Sequence, residues 1–180
     1  MSRLFVALSM PNHIKDALSA LQYGVDGARW RSVENFHLTL AFIGDADRHG
    51  LGAAIDALSE IEAPDFNLRL SGVGLFGSRK PRAIWVGITP STDLMHLQRK
   101  VDGALRRKGI ELETRKFIPH VTLAYLKGAR RDEVANYCVM NELFSTEEFP
   151  VRQFHLYSSI LGATVSHYEI EASYSLSSSK

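Results

Sequence analysis

A single cysteine, Cys138, leaves the chain unable to close an internal disulfide, so an oxidised, stapled scaffold is excluded and a reducing compartment suits it. Its neighbours Val134, Ala135, Tyr137 and Val139 read as a helix, and a thiol in such company is a packed group rather than a nucleophile. Long apolar runs are also missing, and no segment approaches the ~20 residues that a membrane span needs. Leu4 to Met10 is apolar but stops at Pro11 with no small-residue cleavage pattern, so it does not read as an export signal, and the expected address is cytoplasmic. No charge of one sign dominates: 21 basic and 20 acidic side chains leave +1, which excludes a polycation. His-Glu-x-x-His, His-x-His and paired-cysteine spacings are absent, so no metal site is expected despite seven histidines. A Gly-x-Ser-x-Gly elbow is absent as well, and Gly72-Val73-Gly74 with Gly77 has no helix behind it, which removes the serine-hydrolase and dinucleotide readings.

What is present is 45% apolar content, enough to bury a core, and local basic clusters. Arg79-Lys80-Pro81-Arg82, Arg99-Lys100, Arg106-Arg107-Lys108, Arg115-Lys116 and Lys127 to Arg131 read as solvated faces or as a track for an anionic substrate. Most informative is a motif written twice, 83 residues apart: His37-Leu38-Thr39-Leu40-Ala41-Phe42-Ile43 and His120-Val121-Thr122-Leu123-Ala124-Tyr125-Leu126. On a strand, residues i and i+2 share a face, so each copy offers an imidazole and a hydroxyl together and buries its apolar residues on the other side.

The surroundings repeat as well. Arg3 to Leu8 and Arg82 to Ile88 read as strands, each followed by a helix opened at Pro11-Asn12 or Pro90-Ser91. Each motif strand is followed by a helix, Asp47 to Ile61 or Arg130 to Asn141, and then by a strand opening at Phe66 or Phe149, each 29 residues beyond its histidine. Further strand-like alternation fills 66 to 76 and 149 to 174. The expectation is one bilobal domain over 1–180, of α+β class. Its two lobes are related by a pseudo-two-fold axis, each is an antiparallel sheet with helices on its outer face, and together they enclose a central cleft. The halves are expected to meet near 77–82, and 177–180 reads as a frayed tail.

Two histidines and two threonines facing one cleft suit phosphodiester cleavage. An imidazole titrates near ~6.5, so one copy can take a proton from the attacking oxygen while the other gives one to the leaving oxygen. Threonine hydroxyls beside them can donate to the phosphoryl oxygens as negative charge grows there. Arg115 or Lys116 can add positive charge, and the scheme needs no metal or cofactor. His13, His49, His96, His155 and His167, which lack this setting, read as structural. Trp30, Phe36, Phe42, Phe76 and Tyr125 read as core, with one or two available to stack a base.

His37-x-Thr39 and His120-x-Thr122, the run Phe117 to Ala124 and Arg29-Trp30 resemble the two-histidine phosphoesterase superfamily, in particular the bacterial and archaeal RNA 2′,3′-cyclic phosphodiesterases, also called 2′-5′ RNA ligases. The likeness runs from about Arg3 to Leu176 and includes Phe76, Pro81 to Trp85, Tyr157-Ser158 and Tyr168. It implies metal-independent opening of a terminal 2′,3′-cyclic phosphate on RNA to a 2′-phosphate, with reversible ATP-independent 2′-5′ ligation. It also implies that His37 is the proton donor, His120 the base, and Thr39 and Thr122 the phosphate holders. The chain departs from the pattern at Tyr125, where many relatives place arginine, and Arg115, Lys116 or Lys127 is then expected to supply the charge. Partners on this reading are RNA ends or small cyclic nucleotides, with no membrane, and the chain acts as a monomer. Two alternatives stand beside it: cleavage of another cyclic or 2′-5′-linked nucleotide by the same pair, and a noncatalytic RNA-end-binding module.

Overall fold

The computed structural model describes residues 2–161 and 166–178, the side chain of Leu161 excepted. Strand β1 (Ser2–Ser9) is buried from Leu4 to Leu8 because Leu4, Val6 and Leu8 join the core while Phe5 and Ala7 face the other way, beneath the site described below. Pro11 holds the extended conformation that precedes α1 (Asn12–Ser19), whose Ile14 and Leu18 are buried one helical turn apart. A short strand β2 (Ala28–Trp30), which the sequence pattern does not signal, and a 3₁₀ turn at Val33–Asn35 lead into β3 (His37–Ala46). The Asp47 carboxylate then accepts from the Gly50 amide and caps α2 (Arg48–Ser59). Strands β4 (Phe66–Leu68), β5 (Leu70–Phe76) and β6 (Ala83–Ile88) follow, the last two joined by a turn at Gly77. Gly77 has φ +90°, and a side chain there would run into the Lys80 carbonyl. The Ser91 hydroxyl accepts from the Leu94 amide and caps α3 (Thr92–Arg107), which gives way to β7 (His120–Leu126), α4 (Arg131–Met140), β8 (Phe149–Val151), β9 (Gln153–Leu161) and β10 (Ser166–Ser175).

The expected α+β architecture is present, and its strands are antiparallel in the order β10-β9-β1-β3-β7-β6-β5. The two half-sheets join at one residue pair, Leu38 opposite Val121. A second, two-stranded ladder sets Asn67 of β4 opposite Pro150 of β8. In both pairs the partners are 83 residues apart, the offset of the repeat. Antiparallel pairing of equivalent positions requires a local two-fold axis between them, as at a self-complementary dimer contact.

Each half pairs β1 with β3 or β6 with β7, but then exchanges strands with the other. Strand β5, from the first half, pairs with β6 of the second, and β9, from the second, pairs with β1 of the first. Helices cross over likewise. α3 packs on α2 and β3, whereas the turn after α1 delivers Gln22 to the Leu123 carbonyl of β7 and accepts Tyr137 of α4 at the Leu21 carbonyl. One continuous apolar core results. The tail expected to fray from 177 is instead tied at Ser177, whose amide and carbonyl bond Ala63 and Asp65; residues 179–180 lie outside the described residues. No helix among the described residues is long and apolar enough to cross a membrane.

Candidate active site

Strand alternation sends Leu38 and Val121 into the core and leaves His37, Thr39, His120 and Thr122 on the opposite face. The strands pair at Leu38 and Val121, and His37 and Thr39 flank that pair on β3 as His120 and Thr122 flank it on β7. Each strand then carries an extra residue. Ala7 pairs with Thr39 but Val6 with Ala41, which leaves Leu40 unpaired; Trp85 pairs with Thr122 but Ile84 with Ala124, which leaves Leu123 unpaired. These bulges re-phase the strands and return Phe42 and Tyr125 to the histidine face, where they are 60% and 51% exposed. Phe42 and Tyr125 therefore depart from the core default expected of the motif-side aromatics and are the two of the five left exposed.

Both imidazoles are held in the same way. Nδ1 of His37 lies 2.7 Å from the Asn35 carbonyl, and Nδ1 of His120 lies 2.7 Å from the Ile118 carbonyl. A carbonyl can only accept, so Nδ1 carries the proton and donates, and in the neutral ring Nε2 is left with its lone pair for chemistry. Around His37 stand Phe5 at 4.9 Å between ring centroids, Tyr168 edge-on at 5.4 Å and Tyr157 at 6.4 Å. Around His120 stand Phe76 at 4.9 Å and Trp85 at 6.2 Å, the Trp85 ring lying over Gly74. Burial in this apolar wall pushes His37 down to about 4; the Asn35 bond opposes that, and the charges of Arg31 and His120 add to it. His120 is lowered less deeply by burial, against the bond to Ile118. The charge of His120 is felt at His37, across the seam where the two half-sheets join.

The structure brings four of the six expected site residues onto one face. Arg115 is turned elsewhere: its guanidinium pairs with Glu113 and lines, with Gln98, Arg106 and Phe117, a hollow of about 330 Å³. Lys116 is exposed on the same loop. A cation that composition did not single out, Arg31, lies beside the site with its guanidinium carbon 5.4 Å from the ring centres of both Tyr125 and Tyr168. Only the pairing of β2 with β7 reveals it. Of the remaining histidines, His13, His49, His96 and His167 are exposed, and His155 is buried between the hydroxyls of Ser173 (2.8 Å) and Ser9 (3.4 Å). Cys138 packs against the core, and burial pushes its thiol up. No group of three His, Cys, Asp or Glu among the described residues is placed to hold a metal ion.

Known proteins share these features. The model of the LigT-like phosphoesterase family matches twice, over residues 8–85 and 86–166, in step with the two copies of the motif. An RNA 2′,3′-cyclic phosphodiesterase of Archaeoglobus fulgidus is 31% identical over 163 residues, 88% of this chain and 92% of that protein. One of Geobacillus stearothermophilus is 32% identical over 130 residues, 68% of this chain and 41% of the longer relative. Escherichia coli LigT, solved in complex with 3′-AMP, superposes with a TM-score of 0.79 at 24% identity, covering 97% of this chain and 98% of that one. Duplicated motif, paired imidazoles and fold thus lead to one assignment: the chain belongs to the LigT-like phosphoesterase family.

Proposed function

We propose that the protein opens a 2′,3′-cyclic phosphate at an RNA or small-nucleotide end, leaving a 2′-phosphate, with His37 and His120 as the acid–base pair. The observation that carries this is the equivalence of the two imidazoles about the Leu38–Val121 pair, each with Nδ1 tied to a carbonyl and each two residues from a threonine on its own strand. Water attacks phosphorus while Nε2 of one histidine, neutral, takes its proton; the bond from phosphorus to O3′ breaks, and O3′ takes the Nε2 proton of the other histidine, which enters the step as the imidazolium and leaves it neutral. Thr39 and Thr122 donate to the non-bridging oxygens. Attack by a 5′-hydroxyl in place of water forms a 2′-5′ junction by the same proton transfers and consumes no ATP. The relative in Archaeoglobus fulgidus is named for this cyclic substrate, and Escherichia coli LigT holds a nucleotide, which supports a nucleotide end as the ligand.

The family likeness assigns proton donation to His37 and the base role to His120. A second reading exchanges them, and one observation favours it: burial makes His37 the harder of the two to protonate.

The test is turnover of 2′,3′-cyclic nucleotides and RNA ends with a chelator present, with product regiochemistry read out. Histidine-to-alanine changes at 37 and 120 are each expected to lower turnover by at least ~10²-fold while the protein still melts cooperatively. Tight binding without turnover would indicate a noncatalytic module instead. A substrate whose leaving atom is sulfur needs no proton, so it rescues the variant lacking the acid and leaves the variant lacking the base impaired, which decides between the two role assignments.

A further inference from the structure

Arg31 is held from several sides beside the histidine face. Its amide donates to the Leu123 carbonyl at 2.8 Å, and its carbonyl accepts from the Gln22 side chain at 2.7 Å, so its backbone is pinned to the bulge of β7. Its guanidinium rests 5.4 Å from the ring centres of Tyr125 and Tyr168 and donates to the Tyr168 hydroxyl. Tyr168 touches the His37 ring, and Tyr125 follows His120 by five residues on the same face, so the cation bridges the two half-sheets on the side where the imidazoles lie. Stacking fixes a guanidinium while leaving most of its five N–H donors unspent.

Several other arginines spend their forks on carboxylates. Arg106 pairs with Asp102, Arg115 with Glu113 and Arg130 with Asp132, whereas among the described residues no carboxylate lies within ion-pair distance of Arg31. A clamped, half-buried fork with free donors, whose charge is felt at the His37 ring, has the chemistry of a phosphate ligand.

We propose that Arg31 grips the non-bridging phosphoryl oxygens of the substrate, with the rings of Tyr125 and Tyr168 holding its guanidinium in place. The assignment rests on the phosphodiesterase reading for its substrate, but the anion site can be measured without turnover. Arg31 is a ligand of the reacting phosphate on this view, and Tyr125 and Tyr168 are positioning residues.

Orthophosphate is the probe, its affinity measured by calorimetry and by competitive inhibition of cyclic-nucleotide turnover. Arg31→Met is expected to weaken orthophosphate binding by about 10- to 100-fold, the range for a charged hydrogen-bonded group, and to lower kcat/KM comparably. Arg31→Lys is expected to recover part of the affinity, because charge returns without the fork. Tyr125→Leu, at an exposed position that folding tolerates, is expected to weaken orthophosphate binding about 2- to 5-fold by removing one face of the clamp. A merely structural Arg31 would shift the melting temperature and leave phosphate affinity alone. Unchanged affinity in Arg31→Met overturns the assignment; if that variant does not fold, unchanged affinity in Tyr125→Leu does so, as does a parent protein that binds no orthophosphate. Arg31-dependent binding without turnover would keep this site and remove the hydrolase reading. Turnover with Arg31-independent phosphate binding would do the reverse.

Discussion

At the scale of the residue, the site depends on a backbone carbonyl two positions before each histidine. Asn35 and Ile118 accept from Nδ1 and thereby choose the tautomer that presents Nε2. The apolar wall then disfavours the charged form of both rings in the free protein, which has a measurable consequence for stability. In the unfolded chain His37 titrates near 6.5, and in the folded protein near 4, so between those values the unfolded state binds more protons. Stability from this group is therefore fully present above pH 6.5 and falls as the pH drops toward 4, by at most on the order of 3 kcal/mol. Thermal melts from pH 7 to pH 4.5 are expected to show a falling midpoint, and His37→Gln is expected to flatten the slope. An equal slope in parent and variant contradicts the burial of a neutral ring. The histidines were legible because they occur twice in the same company. Arg31 was not, since its neighbours Tyr125 and Tyr168 are far away in the chain and no repeat announces it.

At the scale of the element, local signals marked most starts and ends. Asp47 and Ser91 accept from the amides three residues on, as short polar side chains at a helix N-terminus do, and Phe66 and Phe149 open the strands expected there. Bulges at Leu40 and Leu123 escaped the sequence because an extra residue in a strand alters pairing without altering composition. Two glycines make the point about context with opposite signs. Gly74 lies under the Trp85 ring, which a methyl group would overlap, so Gly74→Ala is expected to cost about 1–3 kcal/mol. Turnover should fall with it, because the displaced ring backs His120. Gly52 sits within α2 with open space around it, so Gly52→Ala is expected to stabilise by about 0.5–1 kcal/mol. Denaturant unfolding of both variants checks the pair; a neutral Gly74→Ala would mean that the indole is free to move.

At the scale of the whole molecule, the two copies exchange their strands. Each half-sheet draws on both halves of the sequence, β9 closing on β1 and β5 on β6, and α3 and the turn after α1 cross with them. A chain cut in the turn after Gly77 is accordingly expected to yield fragments that show no cooperative melt alone, since each lacks strands of the sheet it begins. Mixed together, they should regain a cooperative transition and cyclic-nucleotide turnover. Either fragment folding by itself would refute the exchange. Read alone, the sequence determined the duplication, the order of the repeated strands and helices, the polar face of each motif strand and the pairing of an imidazole with a hydroxyl in each copy, because these are properties of periodicity and of residue type repeated at one spacing. Only the tertiary structure decided that equivalent positions pair across an axis, that Phe42 and Tyr125 return to the active face, and that Arg31 rather than Arg115 lies beside the histidines. Those facts depend on register and on burial between distant segments, and neither is encoded in any local window of the chain.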